Sequence, residues 1–171
     1  MPIHVLVAYA TKHGSTGEIA EAIGHVLRGP DTIVDVVPTR EVTDLGPYQA
    51  VILGSALYAA HWQRDANRFV ARHIAALRQR PVWLFSSGPL DRSADAGTLP
   101  VAPSVARTTD PIGARGHRTF GGRLLPGTPG VDEQILATHA VGDFRDFAAI
   151  EAWAAAVARV LEREPGRPPD G

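Results

Sequence analysis

Short apolar runs alternate along the chain with longer segments in which apolar residues recur every three or four positions. The runs cover residues 3–10, 32–37, 50–56, 81–87 and 117–124, and their length and composition are typical of strands. The third and fourth runs are almost entirely apolar, as expected for central parallel strands that are covered on both faces. The run at 32–37 contains Asp35, which suits an edge strand. The pattern therefore predicts five strands.

Three segments have the apolar period of an amphipathic helix. They run from Ser15 to Arg28, from Trp62 to Leu77, and from Asp146 to about Glu162. Asp143 and Asp146 are spaced like the N-cap of the third helix and its partner three residues later. The segments at 39–45 and 103–112 have weaker patterns and are expected to form short or irregular helices.

Strands that alternate with helices predict the α/β class, with a mostly parallel sheet between two helical layers and right-handed crossovers. The 171 residues, 44% of them hydrophobic, suffice for one core. We expect one domain over residues 1–164 and a disordered tail over 165–171, which is rich in Pro, Gly and charged residues.

Composition excludes several classes of function. The formal net charge is -1, without a basic block, so nucleic acid is not an expected partner. The chain has no cysteine, which excludes disulfides and thiolate chemistry, and its histidines lack the spacing of a metal cluster, so no metal is expected. There is no basic leader and no apolar run long enough to span a bilayer, which predicts a cytoplasmic protein without an integral membrane segment.

Ligands of parallel α/β sheets bind beyond the carboxyl ends of the strands. The turn after the first strand combines free helix-terminal amides with three hydroxyls, a set suited to an anion, in the residues Thr11, Lys12, His13, Gly14, Ser15 and Thr16. Gly14 allows close approach or a positive φ. The alternative is an ordinary capping box formed by Ser15 and Glu18. The turn has the spacing of neither a dinucleotide fingerprint nor a P-loop.

These motifs resemble those of the flavodoxin-like family, and in particular the branch that contains the menaquinone-dependent protoporphyrinogen dehydrogenases. VLVAYATKHGSTGEIAEAI is similar to the family's T-x-x-G-x-T phosphate loop, VILGSALYAAHWQRDANRFV to the second flavin loop of that branch, and LFSSGPL occupies the third loop. FGGRL and GDFRDFAAIEAWA resemble its last strand and helix. The resemblance implies the strand order 2-1-3-4-5 and FMN at the point where that order reverses.

The resemblance also implies which residues contact FMN. The phosphate would bind Thr11, Lys12, His13, Gly14, Ser15 and Thr16, mainly through the backbone. The ring would lie beside Ser55, Ala56, Leu57, Tyr58 and Trp62. The ribityl chain or the pyrimidine edge of the ring would lie beside Ser86, Ser87, Gly88, Pro89 and Leu90. Tyr58 is a better ring contact than Trp62, because Trp62 also lies on an apolar helix stripe and fits the core equally well. Tyr58 and His61 are the candidates for catalysis.

The predicted function is that of an FMN-dependent oxidoreductase that passes electrons to a quinone-type or other acceptor, similar to protoporphyrinogen dehydrogenase. The loop SALYAAH has no glycine, and alanine resists positive φ, so we expect weak semiquinone stabilisation and two-electron chemistry. A one-electron carrier for a redox protein partner and a flavin-free binding module are the alternatives. Segment 125–142 is shorter than the branch's insert and free of aromatics, which leaves contact with a membrane surface open, and loop 88–104 is a candidate substrate lid.

Overall fold

The computed structural model describes residues 1–164, and a parallel sheet of five long strands forms its centre. The predicted tail at 165–171 lies outside the described residues. The long strands are β1 (Ile3–Ala10), β2 (Thr32–Pro38), β3 (Ala50–Tyr58), β5 (Val82–Ser87) and β6 (Gly116–Phe120), in the spatial order β2-β1-β3-β5-β6. The two-residue strand β4 (His61–Trp62) pairs antiparallel with the end of β3. Without β4, the order is the predicted 2-1-3-4-5, and the predicted fold class is confirmed.

Helices cover both faces of the sheet. One face carries α1 (Ser15–Leu27) and α5 (Phe147–Arg163), and the other carries α2 (Arg64–Arg78) and α3 (Pro103–Thr109). The short helix α4 (Glu133–Thr138) lies between two short strands, β7 (Arg123–Leu124) and β8 (Gly142–Asp143), which pair antiparallel. No helix within residues 1–164 is long and apolar enough to cross a bilayer.

The central strands are apolar on both faces because each face packs against its own helices. In β1, Val5 and Val7 pack in the core under α1 and α5, whereas Leu6 and Ala8 pack in the core under α2. All four are fully buried. Successive side chains of a strand point to opposite faces of the sheet, so each strand contributes to two cores. The strand sequences are therefore continuously apolar rather than alternately apolar and polar.

The predicted strand at 117–124 is wrong as a single element. β6 ends at Phe120, and the chain resumes as β7 after Gly121 and Gly122. A Cβ on Gly121 would lie 1.9 Å from the carbonyl oxygen of Phe144, so only glycine lets the two segments cross this closely. The break directs residues 123–143 away from the sheet edge.

Several helix limits also differ from the prediction. α2 begins at Arg64 rather than Trp62, because Trp62 belongs to β4. The N-cap of α5 is Asp146, whose Oδ1 accepts a hydrogen bond from the Ala149 amide at 3.1 Å, and Asp143 instead pairs with Arg145. Segment 39–45 forms only one 3-10 turn, Thr39–Glu41, and segment 103–112 forms α3 followed by the 3-10 turn Asp110–Ile112.

Candidate functional site

A cavity of about 410 Å³ opens at the carboxyl ends of β1, β3 and β5, within the range of small-molecule sites. Of the residues predicted to contact a ligand, nine line it, and they come from all three loops: Lys12, His13, Ser15, Ala56, Leu57, Tyr58, Ser87, Gly88 and Leu90. The other predicted residues are not in the lining: Thr11, Gly14, Thr16, Ser55, His61, Trp62, Ser86 and Pro89. The topology therefore brings the three predicted loops together around one space.

The remaining wall was not predicted from the sequence. It is formed by residues that follow the break in the sheet edge or belong to the earlier loops: Ala59, Gln63, Gly122, Arg123, Leu124, Ile135 and His139. His13 Nδ1 lies 3.1 Å from the carbonyl oxygen of Pro129, so segment 125–142 also contacts the first loop. The paired glycines were the one available signal for this wall, since they mark a strand break.

The first loop ends in a helix N-terminus whose amides are open. Gly14 is the N-cap of α1 with φ 87°, and its amide donates to Thr11 Oγ1 at 3.0 Å. The amides of Ser15, Thr16 and Gly17 donate to no acceptor within the described residues. Unpaired amides at a helix N-terminus attract anions. The Ser15 side chain, which also lines the cavity, adds a hydroxyl donor.

The alternative interpretation of this loop, a capping box, is wrong. Ser15 is the first residue of α1 rather than its N-cap, and in the described part of the chain no side chain caps this helix. The Glu18 carboxylate instead receives Arg123 Nη1 at 3.0 Å and also pairs with Arg145. The Ser15 hydroxyl and the amides of Ser15, Thr16 and Gly17 are therefore not used in capping the helix.

The two threonines of the first loop hold it in place. Thr16 is fully buried, and its Oγ1 lies 2.8 Å from Ser87 Oγ in the third loop. Thr11 accepts the Gly14 amide. Both hydroxyls are therefore engaged in positioning the loops rather than directed into the cavity.

The second loop is a tight hairpin that reverses the chain at Ala59 and Ala60. Leu57 pairs with Trp62 and Tyr58 with His61, which leaves two residues for the turn, with φ 49° and 63°. Two-residue hairpins of type I′ require positive φ at both central positions. Ala59 and Ala60 therefore adopt positive φ despite the resistance expected of alanine, because strand pairing imposes it. Ser104 Oγ donates to the Ala60 carbonyl at 2.8 Å and stabilises the turn.

Replacement of Ala60 by glycine is expected to stabilise the protein. An L-residue in the left-handed region costs about 1 kcal/mol, and glycine removes that cost. Urea denaturation of A60G should give a higher midpoint than the wild type. The matched control is A75G in the exposed interior of α2, where glycine should instead lose about 1 kcal/mol. A lower midpoint for A60G would show that the turn is not strained.

Trp62 and Ser86 lie beneath the loops, where they form a buried polar chain. Trp62 is 4% exposed, and its Nε1 donates to Ser86 Oγ at 2.8 Å. Ser86 Oγ lies 2.9 Å from Nε2 of His117, and burial lowers the pKa of His117 to about 4, so its ring is neutral at ordinary pH. Of the two interpretations open for Trp62, the structure favours the core residue over the ring contact.

The charged groups around the cavity are cationic. Within residues 1–164, its lining contains the cationic side chains of Lys12 and Arg123 but no carboxylate. Arg123 is held by Glu18, and Glu18 also pairs with Arg145, which is 4% exposed and bonds Asp143. The hydrogen bonds between Arg145 and Asp143 raise the pKa of the guanidinium and lower that of the carboxylate. The two guanidiniums and two carboxylates of this network balance in charge, and the network fixes the Arg123 guanidinium in the cavity wall.

Comparison with solved structures gives the same fold at low sequence identity. A flavodoxin from the domain Archaea is 16% identical, with a TM-score of 0.61, and the match covers 94% of this chain and 99% of that one. Oxidised flavodoxin 1 from Bacillus cereus is 15% identical, with a TM-score of 0.56, and the match covers 91% and 97%. Rubredoxin oxygen:oxidoreductase from Desulfovibrio gigas is 14% identical with a TM-score of 0.63, but the match covers only 38% of its length and 97% of this chain.

The sequence itself gives a more specific assignment. A search of curated protein sequences found no significant match. The family model for the flavodoxin domain matches residues 6–125, which include β1 from Leu6 onward, all of β2, β3, β5 and β6, and the three predicted loops of the cavity. The chain therefore belongs to the flavodoxin domain family.

Proposed function

We propose that the cavity binds FMN and that the protein is an FMN-dependent oxidoreductase that passes electrons to a quinone-type or other small acceptor. One observation carries the proposal. The amides at the N-terminus of α1 have no acceptor within residues 1–164, and beside them the cavity is walled by three strand-end loops that include Tyr58. FMN has a dianionic phosphate and a flat ring, and the two parts of the site match these two parts of the ligand.

The donor set fits the phosphate. Ser15 Oγ and the amides of Ser15, Thr16 and Gly17 can donate to phosphate oxygens, and charge-assisted hydrogen bonds of this kind are strong. The Arg123 guanidinium, in the same lining, offers further N–H donors. Among the described residues, no carboxylate in the lining opposes a dianion.

The second and third loops also fit a flat ligand. A Cβ on Gly88 would lie 2.8 Å from Leu57 Cβ, and a Cβ on Gly122 would lie 3.0 Å from the Gly88 carbonyl oxygen. Glycine at both positions therefore lets the second loop, the third loop and β7 approach one another closely. Tyr58, at the rim of this arrangement, is 54% exposed and offers an aromatic face for offset stacking.

When bound, FMN would supply the redox chemistry. The chain's own residues bind and orient it. Ser15 and the α1 amides hold the anionic end, and Leu57, Leu124 and Ile135 line the cavity with apolar surface that excludes water. Tyr58 and His61 remain candidates for proton transfer, although only Tyr58 is in the lining. A cytoplasmic location remains a prediction.

Binding is tested with the purified protein stripped of small molecules. FMN fluorescence should be quenched on titration, with one equivalent bound and a yellow protein recovered after gel filtration. A protein that stays colourless in excess FMN, and leaves its fluorescence unchanged, would contradict the proposal and favour the flavin-free binding module.

The proposal also specifies the type of electron acceptor, a small molecule rather than a protein. Ile135 and His139 close one side of the cavity, which favours a small molecule entering a cleft over a protein docked on an open ring. The FMN-loaded, reduced protein should therefore be oxidised faster by menadione than by cytochrome c. Faster oxidation by the cytochrome would favour the one-electron carrier. The resemblance of the motifs suggests protoporphyrinogen as the electron donor. It is tested by mixing it with the oxidised, FMN-loaded protein and following reduction of the flavin.

A further inference from the structure

Lys12 has a partner that the anion site does not explain. Its Nζ lies 3.7 Å from the centroid of the Tyr58 ring, and within the described residues it pairs with no carboxylate. An ammonium above a tyrosine face is attracted by the negative face of the ring. The only lysine of the chain is thus held over the second loop, and not directed to the amides of α1.

The sheet topology accounts for this contact. β1 and β3 are neighbouring parallel strands, with Ala10 paired to Ser55. Lys12 and Tyr58 follow this residue pair by two and three positions, with Tyr58 as the last residue of β3, so their side chains meet above the sheet. Both line the cavity. The charge of Lys12 therefore lies at the part of the site that carries the aromatic side chain.

We propose that Lys12 makes the cavity bind reduced flavin more tightly than oxidised flavin. The inference rests on the proposed function, because it requires the ring to occupy this cavity. Uptake of two electrons and one proton, with dithionite as the reductant, converts the neutral ring to a monoanion. A fixed cation attracts the anion more strongly than the neutral ring, and no carboxylate from residues 1–164 offsets it in the lining.

The test compares Lys12→Met, which removes the charge at similar length, with Lys12→Arg, which keeps the charge and the stacking. Anaerobic titrations give the dissociation constants of oxidised and reduced FMN. K12M should weaken binding of the reduced form about tenfold more than that of the oxidised form, which lowers the two-electron midpoint potential by about 30 mV. K12R should keep the wild-type difference.

Riboflavin, which lacks the phosphate, separates this role from phosphate binding. If Lys12 acts on the ring, K12M lowers the midpoint potential of bound riboflavin as it does that of FMN. If Lys12 instead holds the phosphate, K12M weakens both redox states of FMN equally and leaves riboflavin unchanged, which overturns the inference.

A spectroscopic readout is independent of electron transfer. Reductive methylation with ¹³C-formaldehyde labels only the Lys12 Nζ and the N-terminal amine, and K12R assigns the Lys12 signal. Riboflavin should shift this signal, and reduction of the bound flavin should shift it further. If the wild type binds neither flavin, the proposed function fails and this inference with it. If it binds both, and K12M leaves the potential unchanged, only the inference on Lys12 is overturned.

Discussion

Replacement of Ser15 by aspartate should abolish FMN retention while leaving the fold intact. The carboxylate would stand among the amides that are proposed to hold a dianion, and repulsion there should weaken FMN binding about 100-fold. The same carboxylate lies in the first turn of α1, where a negative charge stabilises the helix by about 0.5 kcal/mol. The dissociation constant is measured by fluorescence quenching and the fold by thermal denaturation.

Two comparisons make this prediction specific. S15A removes one hydroxyl without adding charge and should weaken FMN binding only about tenfold, the value of one hydrogen bond to a charged group. Riboflavin should bind S15D and the wild type within about threefold of each other, because it carries no phosphate. An equal loss of riboflavin and FMN binding in S15D would place the phosphate elsewhere in the cavity.

Replacement of Gly121 by alanine should destabilise the protein by about 3 kcal/mol, because the new methyl group meets backbone rather than a movable side chain. Its Cβ would lie 1.9 Å from the Phe144 oxygen and 2.6 Å from the Phe144 carbonyl carbon. Phe144 connects β8 to α5, and its amide donates to Gly122 O at 2.9 Å. Urea denaturation measures the loss.

Gly116, at the start of β6, is the matched control. A Cβ there would meet Trp83 Cδ1 at 3.4 Å, an ordinary contact, and the backbone has no positive φ. G116A should change the free energy of unfolding by no more than about 0.5 kcal/mol, in the stabilising direction. Equal losses in G116A and G121A would show that the break after β6 does not depend on glycine.

The sheet was predictable from the sequence because its strands are buried on both faces. Val5 to Ala8 are fully buried, and a run without polar residues at this length leaves few alternatives to a central strand. The site loops were predictable for a related reason, since parallel strands deliver their carboxyl ends to one edge. Nine of the predicted residues line the cavity as a result of topology alone.

The hairpin at β4 could not be predicted, because its turn has the wrong residues for its shape. Type I′ turns favour Asn-Gly or Asp-Gly, and here Ala59 and Ala60 adopt the positive φ values. Their conformation is set by the pairing of Leu57 with Trp62 and by Ser104, 44 positions away. The conformational preferences of Ala59 and Ala60 do not reflect either contact.

The wall formed by Arg123, Ile135 and His139 was missed for a different reason. Arg123 is held at the cavity by Glu18, 105 positions away in the chain, and the α4 residues reach it only because β7 pairs with β8. Such long-range placement has no periodic signature in a single sequence. This side of the site was therefore visible only in the structure.

The central claim, that FMN binds with its phosphate at the N-terminus of α1 and its ring between the second and third loops, is tested most directly by NMR. In ¹H–¹⁵N spectra, inorganic phosphate should shift the amides of Ser15, Thr16 and Gly17 alone. FMN should shift the same three amides and also those of Tyr58 and Gly88. FMN-induced shifts that spare these five amides, or no shifts with excess FMN, would contradict the account.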